Sequence, residues 1–158
     1  MISNSVNEKM ISFKELEKKI FKYVCELGCE ITRSILEAYD DAVAVKRDKQ
    51  KYRNKGKRAT CIKTVYGSVK YQRRIYGTIT ENGEKAYVYL LDAEMRMDKI
   101  GMISSNLAEK IAITVTESPY RVTAETISST SGQSISASGV WNVMQRLGEK
   151  ISEEEKYA

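Results

Sequence analysis

TCIKTVYGSVKYQRRIY, residues 60–76, holds two runs rich in β-branched and aromatic residues, Thr60 to Val65 and Val69 to Tyr76, separated by Tyr66, Gly67 and Ser68. Val69, Tyr71 and Ile75 alternate with Lys70, Gln72 and Arg74, the period of a strand that buries one face. A β-hairpin with one strongly basic face is expected. Glu81-Asn82-Gly83 then supplies the positive φ angles of a tight turn before Ala86 to Leu91, a third strand candidate. Three antiparallel strands make a small basic sheet.

Upstream of the hairpin, Ser12 and Glu15 have the spacing of a capping box, in which each side chain satisfies the other's orphan backbone amide. Phe13, Leu16, Ile20, Val24, Leu27, Ile31 and Ile35 follow at steps of three and four, while Lys18, Lys19, Lys22, Glu30 and Arg33 face elsewhere. This pattern predicts a long amphipathic helix running to about Val45. From Arg47 to Arg58 no apolar period survives, which reads as a basic loop or arm. Downstream, Ile100, Ile103, Leu107 and Ile111 resume helical spacing. Pro119 opens a short helix over Tyr120 to Ser129, since its missing amide hydrogen is not needed there. Gly132 closes that helix, and Ser136 caps the next, whose apolar face is Val140, Met144, Leu147 and Ile151. The fold class is α+β, with an N-terminal helix (1–45), a basic arm and sheet (46–98), and a helical region (99–158) holding a helix-turn-helix at about 119–151.

Charge is unevenly spread. From Lys46 to Arg74 there are twelve Lys or Arg and one acid, Asp48, a net +11 in a chain whose total is +5, so the rest carries −6. Such a surplus attracts polyanions. In a helix-turn-helix the second helix lies in the major groove, where amides bond adenine, Arg forks onto guanine and small residues allow close approach. The expected partner is double-stranded DNA. Arg53, Lys55, Lys57, Arg58, Lys63, Lys70, Arg73 and Arg74 would hold phosphates, and Ser136, Ser138, Asn142, Gln145 and Arg146 would read bases. A solvated charged surface and an αα-hairpin belonging only to a core are the plainer readings of the same patterns.

Several classes are excluded or disfavoured. The chain contains no histidine, which removes Ser-His-Asp and Cys-His catalysis and the commonest transition-metal ligand. Cys25 and Cys29 share a helix face but form half a metal site, with Cys61 the only further thiol, so they read as reduced core cysteines. Asp40, Asp41, Asp92, Glu94 and Asp98 lie in no recognisable phosphoryl-transfer context. No catalytic residue, metal site or cofactor is assigned. A polar N-terminus and the lack of an 18-residue apolar run point to a cytoplasmic protein with no membrane partner.

Tyr23-Val24-Cys25-Glu26-Leu27-Gly28-Cys29-Glu30, Tyr52-Arg53-Asn54-Lys55-Gly56, Ile62-Lys63-Thr64-Val65-Tyr66-Gly67, Tyr87-Val88-Tyr89-Leu90-Leu91-Asp92, Gly132-Gln133-Ser134-Ile135-Ser136 and Gly139-Val140-Trp141-Asn142-Val143 resemble, in consistent order, the ISLre-type insertion-sequence transposases. The resemblance implies a DNA-binding region that recognises element ends for DNA transposition, followed by an RNase H-like domain whose acids hold divalent metal for strand cleavage and joining. No acid here matches that domain, so enzymatic activity is not carried over. The last residues, in the middle of a helical charge pattern, suggest a chain truncated before it. Family members often carry a histidine near the start of the last helix, where this chain has Ala137 and Ser138, which puts its base preference in doubt. Two other functions fit the same elements. One is a helix-turn-helix transcription regulator. The other is an oligomerisation module that pairs through the first helix with a second copy and binds no DNA.

Overall fold

The computed structural model describes residues 11–97, 99–100 and 102–157. Its elements run α1 (Phe13–Lys46), β1 (Arg53–Thr64), β2 (Gly67–Ile79), β3 (Lys85–Val88), α2 (Leu90–Glu94), β4 (Lys99–Ile100), β5 (Ile103–Ser104), α3 (Ser105–Glu117), α4 (Tyr120–Thr130) and α5 (Ala137–Tyr157). The chain is a mixed α+β protein with a long N-terminal helix. That helix opens on the expected capping box between Ser12 and Glu15.

β1 and β2 form the hairpin, with Ile62 opposite Val69 and Thr60 opposite Tyr71. The basic arm departs from expectation, because Arg53 to Arg58 are strand. Backbone pairing with β2 carries β1 out to Arg53, opposite Gly77, in spite of the missing apolar period, with a register shift between Asn54 and Lys57 where Gly56 takes φ 95°. The sheet is also larger than three strands and not purely antiparallel. Its order is β3-β2-β1-β5-β4, and β5 joins β1 in parallel at Lys63 and Ile103. The third strand ends at Val88, and Leu90 and Leu91 start α2, with Leu91 fully buried. The expected helix through Ile100 and Ile103 begins only at Ser105, where the Ser104 hydroxyl accepts the Leu107 amide at 3.3 Å.

Two cores organise the molecule. Leu36, Ile62, Val69, Tyr71 and Leu91 join α1 and α2 to the hairpin. Leu107, Ala108, Ile111, Ala124, Ile127, Val140 and Val143 join α3, α4 and α5, with Val65 and Ile103 of the sheet side packed against them. The face that α1 turns inward is not the one its apolar spacing suggests. Cys25, Leu36, Asp40 and Val43 are buried, whereas Phe13, Leu16, Ile20, Val24, Leu27, Ile31 and Ile35 are all exposed.

The reason lies in how α1 meets β2. Glu37 accepts the Gln72 amide and Asp40 the Arg74 amide, both at 3.0 Å. Carboxylates of the helix thus take the place of a neighbouring strand along part of β2, which would otherwise be an open edge. A helix docked by these acids need not bury its most apolar stripe.

The α4–α5 connection follows the expected capping. The Ser136 hydroxyl accepts the Gly139 amide at 3.1 Å, and the Ser136 carbonyl accepts the Val140 amide at 2.9 Å. Ser136→Ala is expected to lower the unfolding free energy by about 1 kcal/mol, as loss of an N-cap does. A urea titration followed by circular dichroism measures it.

Candidate nucleic-acid interface

The N-terminal half of α5 faces the β1–β5 junction across a groove of about 460 Å³. Lys63 stands on one side, Ser136, Asn142 and Arg146 on the other, and Met102 and Ile103 contribute apolar wall. No acid among the described residues lines it. Four of the thirteen residues expected to contact DNA are therefore brought together, although Lys63 and Arg146 lie far apart in sequence. Local folding explains the placement. Asn142 and Arg146 are one turn apart on the flank of α5 beside its buried Val143, and both are exposed. Lys63 points outward because its neighbours Ile62 and Thr64 point into the core. Lys70, opposite Cys61, lies on the same outer face of the hairpin as Lys63 and is exposed.

Ser138 adjoins this group, its hydroxyl 3.1 Å from that of Ser136. Gln145 is exposed but lines a separate hollow shared with Glu149 and Glu153. That acidic neighbourhood sets it apart from the groove.

Arg53 and Lys55 occupy a second hollow of about 310 Å³ at the far end of the hairpin. Lys51 and Lys85 join them there, again with no acid among the described residues. Neither lysine was singled out from the sequence. The pairing of Ile79 with Lys85 brings the latter in, and only strand register reveals it. Arg58 is exposed, donating to the carbonyl of its neighbour Lys57, and Lys57 is 3.6 Å from the Asp41 carboxylate with much of its side chain in solvent.

Arg73 and Arg74 behave differently from the phosphate-holding role expected of them. The Arg73 guanidinium pairs with Asp92 and stacks 3.7 Å from the centre of the Tyr89 ring, leaving its side chain 12% exposed. Arg74 reaches both Asp40 and Asp41 at 2.6 Å, with its side chain 18% exposed. These two are fastened inside the protein by its own carboxylates. The hydrogen bond from Arg74, followed by the charge of Lys57, holds the Asp41 carboxyl below its ordinary value, and the Asp41 contact in turn raises Arg74.

Cys25 is buried and Cys29 partly so, and burial pushes the Cys29 thiol up, with Cys25 adding to the effect. Cys29 is therefore a poor thiolate at neutral pH. Among the described residues no group of three or more His, Cys, Asp or Glu is placed to hold a metal ion, and no helix is long and apolar enough to cross a membrane.

The hairpin turn is wedged between two other segments. A Cβ on Gly28 of α1 would stand 2.8 Å from Cγ of the Tyr66 ring, and one on Gly67 would stand 3.2 Å from Cys29 Sγ. On the other side, a Cβ on Gly132 would collide with the Tyr66 carbonyl and lie 2.9 Å from Cys25 Sγ. The Gly132 amide donates to the Val65 carbonyl at 2.9 Å, and the Ser68 hydroxyl bonds buried Gln133 at 3.1 Å. So α1, the hairpin turn and the α4–α5 turn lock into one junction.

A family model covers this whole arrangement, matching residues 6–157. The chain belongs to the Uncharacterised protein family (UPF0236). No curated protein and no solved structure matches it. In this UPF0236 chain, three of the segments that resemble transposases, those around Gly28, Tyr66-Gly67 and Gly132, meet at the junction described above. Their glycines serve close backbone approach there, which is a structural duty.

Proposed function

We propose that this UPF0236 chain is the DNA-binding unit of an ISLre-type transposase and recognises the ends of an insertion sequence in double-stranded DNA. The observation that carries the reading is the groove, with no acid among its described residues, in which Ser136 and the first three turns of α5, with Asn142 and Arg146, stand beside Lys63. Asn and Arg are the side chains that read adenine and guanine edges in pairs, and a lysine across the groove meets a phosphate. The hollow with Lys51, Arg53, Lys55 and Lys85 would serve a further stretch of backbone. In this reading the divalent metal and the strand-transfer chemistry belong to a catalytic domain with acids of its own, and this chain supplies recognition alone.

The test uses the one tryptophan, Trp141, which is half exposed on α5 next to Asn142. Addition of a duplex carrying the terminal repeat should change its emission. Fluorescence anisotropy of the labelled duplex should give tighter binding than to a scrambled duplex. Lys63→Ala with Arg146→Ala should reduce the slope of log affinity against log salt by about 1.8, two phosphate-type contacts at about 0.9 each. If Arg146 instead contacts a base, the slope falls by about 0.9 and discrimination against the scrambled duplex shrinks. Unchanged affinity and slope in the double variant would remove the groove from DNA binding.

A further inference from the structure

The exposed stripe of α1 has an internal regularity that the monomer does not use. Its apolar positions, Phe13, Leu16, Ile20, Val24, Leu27, Ile31 and Ile35, follow steps of three, four and four, repeated, so that Phe13, Val24 and Ile35 are spaced by eleven residues. An eleven-residue period keeps a stripe straight along nearly regular helices with a slight right-handed crossing. Leu16 is 39% exposed, the least of the seven, and Phe13 is 76% exposed. Together they leave on the order of 600 Å² of apolar surface in one strip, at the upper end of what a soluble monomer carries in a patch. Two such strips face to face would bury about 1,200 Å², the lower edge of a stable interface.

We infer that this stripe is the contact surface for a second copy of the chain, with the two α1 helices antiparallel. One cross-pair of charges supports the direction. Among the exposed charged residues from Lys14 to Arg33, Lys14, Glu15, Glu17, Lys18, Lys19 and Lys22 precede the midpoint of the stripe, and Glu26, Glu30 and Arg33 follow it. At helical spacing Lys19 falls on the same flank of the stripe as Glu26, Glu30 and Glu37. A parallel pair brings opposite flanks of the two helices together, so Lys19 and Glu30 do not meet. An antiparallel pair sets Lys19 of one copy near Glu30 of the other.

Spacing agrees with that direction. From Leu16 to Ile35 the steps read the same from either end, so a two-fold axis midway between Val24 and Leu27 places Leu16 opposite Ile35, Ile20 opposite Ile31 and Val24 opposite Leu27. The present partners of these charges offer little resistance. Lys22–Glu26 at 3.9 Å and Glu30–Arg33 at 2.7 Å are exposed pairs within one helix, worth a fraction of a kcal/mol. The sheet-facing side of α1, with Cys25, Leu36, Asp40 and Val43, is untouched by the pairing. The inference is independent of DNA binding.

Sedimentation equilibrium of the purified chain across micromolar concentrations tests it. A reversible dimer is expected, and Val24→Glu with Leu27→Glu should weaken it at least tenfold, roughly what burying unpaired carboxylates costs as a minimum. Both residues are exposed in the monomer, so the circular dichroism spectrum should not change. Lys19→Glu alone and Glu30→Lys alone should each weaken the dimer, and the combined swap should restore it. In a parallel pair these two residues do not face each other, so a combined swap that restores nothing would overturn the antiparallel arrangement. A chain that stays monomeric, a dimer indifferent to the glutamates, or a monomer that floats with anionic lipid vesicles through this stripe would each overturn the inference.

Discussion

Asp40→Ala should lower the free energy of unfolding by about 3 kcal/mol, the lower end of the range for breaking a buried ion pair from one side. The carboxylate is completely buried, accepting the Arg74 amide at 3.0 Å and the Arg74 guanidinium at 2.6 Å. Alanine leaves that amide without its acceptor and the guanidinium with half its pairing. The loss stays near the lower end because Asp41 keeps its hold on the same guanidinium nitrogen. Asp40→Asn, which retains an acceptor oxygen, should lose less. Glu37→Ala removes a single bond at an exposed site and should cost no more than about 1 kcal/mol.

Asp41 adds a pH dependence of defined sign. Its folded value lies below the ordinary 3.8, so its contribution is complete above that value and disappears as pH falls through the lowered folded one. Asp41→Asn should therefore lower stability at neutral pH, flatten the acid limb of a stability–pH curve, and leave the acid end, where Asp41 is already protonated, unchanged. The same pairs predict what Arg73 and Arg74 do. Their replacement by alanine should appear as lost stability, with the salt slope of DNA binding unmoved.

The hairpin, the long helix and the α4–α5 pair were legible because each rests on local chemistry: a capping box, a two-residue period, a serine before a small-residue helix start. What was not legible depended on partners distant in sequence. The alternation of Val69, Tyr71 and Ile75 with Lys70, Gln72 and Arg74 reads as one apolar face and one basic face. Only the docking of α1 and α2 shows that Asp40, Asp41 and Asp92 neutralise Arg73 and Arg74. The strand from Arg53 to Arg58 has no pattern of its own and is made by its partner β2. In α1 the apolar period gave the helix correctly and its buried face wrongly, because amphipathicity cannot distinguish a stripe meant for the core from one left for another surface. Of the candidate site, α5 announced its polar residues, and Lys63 was one cation among twelve until the parallel contact with β5 turned it toward them.

Gly132→Ala should be comparably damaging to stability, and more so to function. Overpacking a tight site costs about 1–3 kcal/mol when side chains give way. Here the obstacle is the backbone carbonyl of Tyr66, in a turn already held against α1 by the contact of Gly28 with the Tyr66 ring. A loss of about 3 kcal/mol is expected, at the top of that range, together with the bond from the Gly132 amide to Val65. Gly148→Ala is the matched control. It lies within α5 with nothing near the added carbon, so it should stabilise by up to about 1 kcal/mol. The two can be compared by urea unfolding. Where the Gly132 variant still folds, the α4–α5 turn must stand away from the hairpin, carrying Ser136 and the start of α5 with it. The groove then opens between Lys63 and Arg146, and preference for the terminal repeat over a scrambled duplex should fall while salt-dependent nonspecific binding persists. Retention of both stability and preference would mean that the junction neither holds the fold together nor positions α5 for the DNA contact proposed for it.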